Sequence, residues 1–496
     1  MTRDAAAIGA GLATVRDARQ IVAEERIHVV GAAGAGASAA ALLASAAGAI
    51  VTACDAGGPS PYTDALTSAG IDVLVGHDPA HVTADPGPDR LAVTKALTAI
   101  DPDQPELRTA RERGIPLEPW QQVIADAAFG RRLIAVAGTH GKSTTAGWLV
   151  HVLVGAGRDP SAFVGALLPA ALTGGVPATA RTGQGDAFVV EADEYAGNFD
   201  AYRPAVAVLT SVEWDHPDVF ADEAAVRDAF AAWLEGAATV VANIADQGAD
   251  AVVRRRGGGR HPTLTVGLEG TAARPDVRGR IVAADPGGTT LEVEGLEDRP
   301  VTIHLPTAGR HNAANALCVA GAALTLELPG ADIVRGLETF PGVGRRLERK
   351  GEAAGVVVYD DYGHHPTAID ATIEAVRQRE PGRRVWAVYE PLTYHRTAAL
   401  APGFAAALAT ADAVVVADIW AGRDPDTTIA SAAGLAEAVA AIRSDIPVAA
   451  PGSVDATSEW LARRVGAGDV VLVMGGGHSY RIATGLLDRL ATEAAR

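Results

Sequence analysis

The stretch Leu133-Ile-Ala-Val-Ala-Gly138-Thr139-His140-Gly141-Lys142-Ser143-Thr144-Thr145 decides how the rest of the chain is read. An apolar, β-prone run feeds a glycine-containing turn, and a helical pattern, Ala146-Gly-Trp-Leu-Val-His-Val-Leu, follows it. Strand, glycine turn, Lys-Ser and helix in that order are the layout of a phosphate-binding loop. Gly138 and Gly141 let backbone N–H groups curl around phosphate oxygens. The helix turns its positive N-terminus toward the same anion. Lys142 can reach the β/γ-phosphates of ATP and the Ser143 hydroxyl can hold Mg²⁺. Thr139, His140 and Thr144 complete the expected ATP-binding set. Val136 sits where a strict version of the motif has its first glycine.

At 496 residues the chain exceeds a single core, so two or three domains are expected. Its net charge of −18 argues against nucleic acid as a partner, since phosphate backbones need Lys/Arg-rich surfaces. An anionic nucleotide must then be met by a local site. Cys54 and Cys318 each lie in an apolar pattern without a CxxC partner, and both are expected to be reduced core residues rather than zinc or disulfide cysteines. The Ala-rich N-terminus is interrupted by Asp4, Arg16, Asp17, Arg19, Glu24, Glu25 and Arg26, which points to an amphipathic lead-in helix and not to a signal peptide or membrane span. The expectation is a soluble, cytoplasmic protein with no membrane insertion; the sequence leaves the oligomeric state open.

Outward from the phosphate loop, the N-terminal side alternates short strands and helices. Ile27-His-Val-Val-Gly31 runs into a glycine turn with Gly34 and Gly36, and a second strand ends in Asp55 about 20 residues on, where dinucleotide folds place a ribose ligand. Gly31, Gly34, Gly36 and Asp55 are therefore candidate nucleotide-side binding residues of a Rossmann-like unit. On the C-terminal side, Phe188-Val-Val-Glu191 and Ala205-Val-Ala-Val-Leu are further strands. Residues 264–305 read as a small β insertion, and Glu338–Gly344 as a linker. The βαβ rhythm then restarts with strands at Val356, Arg384, Ala413 and Asp469. The fold class is α/β with three domains: a Rossmann-like N-terminal domain over residues 1–128, a central P-loop ATPase-like domain over 129–340, and a Rossmann-like C-terminal domain over 341–496.

Four groups of residues carry candidate chemistry. Glu191 ends a strand and could ligate Mg²⁺ with Ser143, with Asp193 and Glu194 as further candidates. His216 follows Asp215 at another strand end and suits a metal ligand or a capping or core histidine. Arg310 and Asn312 open a helix, where Asn312 suits a nucleotide contact or an N-cap. The loop Tyr359-Asp360-Asp361-Tyr362-Gly363-His364-His365-Pro366 suits a substrate, with Arg345 and Arg346 before it to meet an anion and Tyr394 and Arg396 after it.

The pieces GAAGAGAS, Gly76-His77, Pro105-Glu-Leu107, GTHGKSTT, EADE, Asp215-His216, GRHNAANA, GVGRRLE and DDYGHHPT together resemble the Mur ligases, ATP-dependent amide-forming enzymes of peptidoglycan synthesis. The resemblance covers nearly the whole chain after about residue 26. It implies that the three domains take, in order, UDP-N-acetylmuramate, ATP and an incoming amino acid, here L-alanine. It implies an acyl phosphate made from the muramate carboxylate and the γ-phosphate, then opened by the amine. By the same resemblance Lys142 contacts the phosphates, Ser143 and Glu191 serve one Mg²⁺, and His216 serves a second. Asn312, Arg345 and Asp360 belong to the ATP side and His77 to the UDP side. Tyr362, His364, Tyr394 and Arg396 surround the acceptor, with His364 a candidate general base. Departures fall at Ala32, Ala33 and Ala37 of the first glycine loop, at Thr94-Lys95, at Leu392 and His395 of the acceptor loop, and at Gly476-Gly477-His478. The Glu-Ala-Asp-Glu-Tyr195 form also occurs in the related ligase that attaches recycled tripeptide. A nicotinamide-dependent dehydrogenase leaves Gly138–Thr145 and Glu191 without a role. A non-catalytic nucleotide-binding paralogue rests only on the altered Leu392–His395 loop.

Overall fold

The computed structural model describes residues 5–256, 261–271, 273–422, 424 and 426–494. Among them the apolar runs become inner strands of three sheets whose parallel strands are covered on both faces, as they require, while the antiparallel extension of the middle sheet leaves one charged face exposed. The first sheet is wholly parallel, in the order Val73–Val75, Ile50–Asp55, Arg26–Val30, Arg90–Val93, Leu117–Pro119. The third carries one antiparallel edge strand, Glu348–Ala353, beside five parallel strands running Val356–Asp361, Asp469–Gly475, Arg384–Glu390, Ala413–Ala417, Val448–Gly452. The molecule is α/β with three domains.

The middle sheet has ten strands. Its centre is Arg132–Ala137, flanked by Ala187–Ala192 on one side and Val206–Leu209 on the other. The run expected as a small β insertion, residues 264–305, extends this sheet. Thr263–Leu268 pairs in parallel with Thr239–Asn243, and Val277–Asp285, Gly288–Glu294 and Val301–Leu305 continue outward. The inward residues Val266, Leu268, Val277, Leu291, Val293, Ile303 and Leu305 join the core under the helix Arg310–Thr325, so burial of that alternating face fixes the register.

The N-terminus also differs from expectation. Among the described residues before the first strand, helix is confined to Ala5–Ile8. The segment after it runs without regular structure because its charges are anchored elsewhere. Arg16 pairs with Glu118 at 2.8 Å and Asp126 at 2.7 Å, and Arg19 pairs with Glu25 at 2.5 Å. Buried Arg90 joins Glu25, Glu118 and Asp126 in the same network. Cys54 and Cys318 are free and buried. No helix among the described residues is long and apolar enough to cross a membrane.

In each sheet the strand order reverses about one strand, and an open α/β sheet binds ligands beyond the carboxyl ends at that reversal. The three reversal strands are Arg26–Val30, Arg132–Ala137 and Asp469–Gly475. Residues just beyond the first two, Gly31 and Lys142, line one continuous cleft, as do Tyr362 and His364 beyond the strand next to the third.

Candidate functional site

The cleft has a volume of about 1320 Å³ and is bounded by all three domains. At its centre the chain leaves Arg132–Ala137 through Gly138 at φ 138° and enters the helix Lys142–Gly155 through Gly141 at φ 79°. Both positions exclude a side chain. A Cβ on Gly138 would stand 2.2 Å from Thr210 Oγ1, and one on Gly141 would stand 2.3 Å from Asn315 Oδ1. The turn is held from outside. Thr139 N donates to Ser211 O at 2.9 Å, His140 N donates to Ser211 Oγ at 2.9 Å, and Thr210 Oγ1 donates to His140 O at 2.5 Å.

Lys142 folds back over this turn. Its Nζ donates to Gly138 O at 2.6 Å and to Glu194 Oε2 at 3.0 Å, with Asp193 Oδ1 at 3.8 Å. Burial disfavours the ammonium charge, but Glu194, Asp193 and Glu191 outweigh it, so the lysine stays protonated with a raised pKa. Glu194 is 1% exposed. Its own burial, only partly offset by Lys142, pushes it up to about 7. Ser143 Oγ donates to Glu191 Oε1 at 3.0 Å, while Glu191 Oε2 accepts from Gly165 N at 2.6 Å. Arg346 crosses from the third domain and its Nη2 donates to the same Ser143 hydroxyl at 2.8 Å.

Next to Lys142, donor atoms of Asp193, Glu194 and His216 lie within 4.8 Å of one another. His216 adopts φ 55°, rare for a residue with a side chain, and Asp215 Oδ1 accepts its backbone N–H at 2.7 Å. Arg396, 3% exposed, donates from Nε to Asp215 Oδ1 at 2.8 Å and from Nη2 to His216 Nδ1 at 3.1 Å. Burial would raise the Asp215 carboxyl, but Arg396 and His216 hold it well below the usual range. The hard-oxygen set of Ser143, Glu191, Asp193 and Glu194 suits a magnesium ion. Glu194 Oε1 is buried without a hydrogen-bond partner among the described residues, as a site built for a cation would leave it.

Toward the acceptor side, His364 faces the cleft, and a hydrogen on Nδ1 donated to Tyr362 O at 2.8 Å leaves Nε2 unprotonated. Burial, reinforced by Arg396, holds its pKa well below the usual histidine range, so the ring is neutral. Tyr362 packs edge-on against His364 at 5.3 Å, and the Arg345 and Arg346 guanidiniums lie 5.0 and 4.9 Å from the Tyr362 ring. Arg345 is occupied otherwise. It pairs with Asp360 at 3.2 Å and donates to Gly475 O and Ser479 Oγ, both at 2.8 Å. Asp360 is fully buried, which pushes its carboxyl up to about 6.

The remaining candidates are placed as follows. Asn312 is the third residue of its helix, not the N-cap, and donates to Ala308 O at 2.8 Å while facing the cleft. Gly31, Gly34 and Gly36 line the cleft on the first domain. Gly36 is also where Trp120 presses on the helix Ala35–Ala46, since a Cβ there would stand 2.2 Å from the indole. Asp55 uses one carboxylate oxygen on the glycine turn, accepting from Ala33 N at 3.0 Å, and the other on its own loop, accepting from Gly57 N at 2.7 Å. His77 lies behind the turn, 3.3 Å from Cys54 Sγ. Tyr394 opens the helix Tyr394–Leu408 and His395 donates its backbone N–H to Asp424 at 2.8 Å. The dehydrogenase reading gains nothing from this arrangement, because Asp55 is bound to the turn.

Three participants were not singled out from sequence: Glu213, Thr367 and Asn315. Glu213 bonds His140 Nε2 at 2.8 Å and accepts from Thr367 Oγ1 at 2.8 Å, joining the second and third domains above the phosphate loop. Asn315 backs Gly141. Thr367 and Asn315 sit inside quoted motifs and Glu213 two residues before one, so proximity to a stronger signal was the available clue.

Three family descriptions match consecutive parts of the chain: the Mur ligase family catalytic domain over residues 26–132, the Mur ligase middle domain over 136–323, and the Mur ligase glutamate ligase domain over 345–477. A UDP-N-acetylmuramate–L-alanine ligase from Kineococcus radiotolerans is 39% identical over 470 residues, 94% of this chain and 96% of that one. The crystal structure of a UDP-N-acetylmuramate–alanine ligase from Thermotoga maritima has a TM-score of 0.77 at 23% identity, covering 95% of this chain and 100% of that one. A murein peptide ligase from Psychrobacter arcticus has a TM-score of 0.70 at 24% identity, covering 94% and 99%. The last two likenesses are of fold.

Proposed function

The chain belongs to the Mur ligase family of ATP-dependent, amide-forming ligases, and we propose that it joins L-alanine to the carboxylate of UDP-N-acetylmuramate in peptidoglycan precursor synthesis. The observation that carries the substrate reading is the 39% identity to an L-alanine ligase across 94% of the chain. In this reading residues 1–128 hold the UDP substrate, 129–340 hold ATP and 341–496 present the amino acid, in the cytoplasm.

The family resemblance and the geometry of the cleft support these residue roles. The turn from Gly138 to Thr144 wraps the β- and γ-phosphates, and Asn312 serves the adenine side. Lys142 exchanges its hold on Glu194 for the phosphoryl oxygens. Arg346, now on Ser143, moves to the same charge, so two cations neutralise the approach of carboxylate to γ-phosphate. Ser143 and Glu191 would hold one Mg²⁺, and His216 with Glu194 a second; bound there, the metal neutralises phosphate charge and polarises the transferring group. The muramate carboxylate displaces ADP to give an acyl phosphate. The L-alanine amine then adds to the acyl carbon and phosphate leaves. His364, unprotonated at Nε2, takes the proton that the amine sheds as it bonds to the acyl carbon. Arg396 and Tyr362 meet the acceptor carboxylate, and Arg396 keeps Asp215 and His216 in place meanwhile. Catalysis is positioning and electrostatics, with no covalent enzyme intermediate.

Phosphate release should be measured with ATP, Mg²⁺ and UDP-N-acetylmuramate against L-alanine, L-serine, glycine and L-Ala-γ-D-Glu-diaminopimelate. Preference for L-alanine supports the reading. Preference for tripeptide reassigns the acceptor to the recycling type, and no release with any amine refutes ligation.

A further inference from the structure

Behind the glycine turn of the first domain, on the sheet face away from the cleft-side core, four metal-capable side chains converge. His28 and Cys54 come from adjacent parallel strands, where Val30 pairs with Cys54 and His28 with Thr52, so both point to one face. The helix Ala80–Thr83 supplies His81, and the first turn of Pro105–Glu112 supplies Glu106. Their donor atoms all lie within 4.8 Å of one another. His28, Cys54 and Glu106 are fully buried, among Val30, Val82, Leu91 and Leu107.

The donors are near the spacing of a small tetrahedral ion. With zinc–ligand lengths of about 2.0–2.3 Å, tetrahedral edges between N, O and S donors are about 3.3–3.8 Å, so the two histidine separations from Glu106 would open on binding. His28 Nε2 stands 3.3 Å from Cys54 Sγ and 2.8 Å from Glu106 Oε1, Cys54 Sγ stands 3.7 Å from Glu106 Oε1, and His81 Nδ1 stands 3.1 Å from Glu106 Oε1. An outer partner is in place as well. His28 Nε2 faces Glu106 in the cluster, and Nδ1, 2.7 Å from Thr52 Oγ1, is placed to carry the ring hydrogen when Nε2 takes a metal. His77 Nδ1, 3.3 Å from Cys54 Sγ, closes one side, and His81 keeps 12% of its side chain exposed as an entry.

We propose that His28, Cys54, His81 and Glu106 form a four-coordinate zinc site that ties the short Ala80–Thr83 helix to the sheet behind the Gly31–Gly36 turn. Mixed nitrogen, sulfur and carboxylate donors select zinc over magnesium, and four protein ligands leave no open position, so the site is structural. Binding exchanges the Cys54 thiol proton for the metal.

The test uses the full-length protein. Zinc content should be measured after gel filtration, and Co²⁺ titrated into chelator-stripped protein while the thiolate-to-cobalt charge-transfer band is followed. One zinc per chain and that band in the wild type are expected. Cys54→Ser should abolish the band, and Cys54→Ser with His81→Gln should weaken zinc binding more than about 100-fold, beyond the loss caused by an outer partner such as Thr52. The other clusters of this kind among the described residues contain no sulfur, and Cys318 is in none of them, so the band assigns the site. Substoichiometric zinc in the wild type, a wild type without the band, or equal zinc affinity in wild type and double variant would overturn the proposal. Circular dichroism checks the folding of each variant; if the double variant does not fold, the wild-type and Cys54→Ser spectra decide.

Discussion

The lysine of the phosphate loop sits in a pre-formed electrostatic exchange. Lys142 is paired with Glu194, whose carboxyl is pushed up to about 7 by burial. Removing the ammonium does not strand a charge there, since Glu194 can take a proton. Lys142→Ala should therefore keep the fold and lose phosphate release by about 10²–10³-fold, the size of one lost electrostatic donor. A variant above half the wild-type rate, with an unchanged far-ultraviolet spectrum, contradicts the assignment. Arg396 is the opposite case. Asp215 beside it is 4% exposed and firmly ionised, so Arg396→Ala should cost about 3–5 kcal/mol in urea unfolding by leaving that charge unpaired. Adding Asp215→Asn should recover much of that loss, and a double-mutant cycle measures the coupling. Arg396→Lys cannot form a two-pronged contact and should raise the L-alanine KM sharply with little change in the ATP KM.

Elements meet through glycines and aromatics. The helix Ala35–Ala46 approaches the Trp120 indole at Gly36, and Trp120 in turn packs edge-on against Phe163 of the middle domain at 5.4 Å. Gly36→Ala should overpack this contact and destabilise by about 1–3 kcal/mol. Trp120→Phe removes the indole atoms nearest the added methyl, so the pair should be more stable than Gly36→Ala alone in urea melts. Equal midpoints for the two would place the strain elsewhere. The helix Lys142–Gly155 is buried along most of its length, with Trp148 stacked on Phe340 at 4.6 Å, which anchors the lysine-bearing first turn to the segment leading into the third domain.

For the whole molecule, buried carboxyls set the response to pH. Glu390 moves from 4.5 to about 7, chiefly through burial, Glu194 moves to about 7 and Asp360 to about 6. For each, the folded state binds the proton that the unfolded state has lost. The stability they contribute is present at low pH and disappears as pH rises through the folded value. Between about pH 4.5 and 7 these three carboxyls therefore lower stability as pH rises, while His311, His364 and His365, held below the usual histidine range by burial, act in the opposite sense. Glu390→Gln should flatten that slope and at pH 8 exceed the wild type by up to about 3 kcal/mol, seen as a higher melting midpoint. An unchanged slope would show that Glu390 ionises freely. The domains are also tied by Glu213 to Thr367 and by His365 Nε2 to Trp214 O at 3.2 Å.

The order of elements around Gly138–Thr145 and the acids at strand ends were legible because phosphate binding needs backbone, lysine and hydroxyl in adjacent positions. The strands of residues 264–305 were legible too, but their membership of the middle sheet was not, because pairing partners lie outside any local pattern. The N-terminal segment carried helix-forming alanines, yet ion pairs with Glu118 and Asp126, about a hundred residues away, decided its course. The same limit governs the site. Local sequence marked Arg345, Asp360, Asp55 and Arg396 as charges near strand ends. Only the packed structure joined Arg345 to Asp360, turned Asp55 onto the glycine turn and set Arg396 on Asp215. Composition placed Cys54 in a core, and folding set it among His28, His81 and Glu106. Short-range chemistry is written in neighbouring residues; which charges and donors face each other is fixed by burial and sheet order, which act across the whole chain.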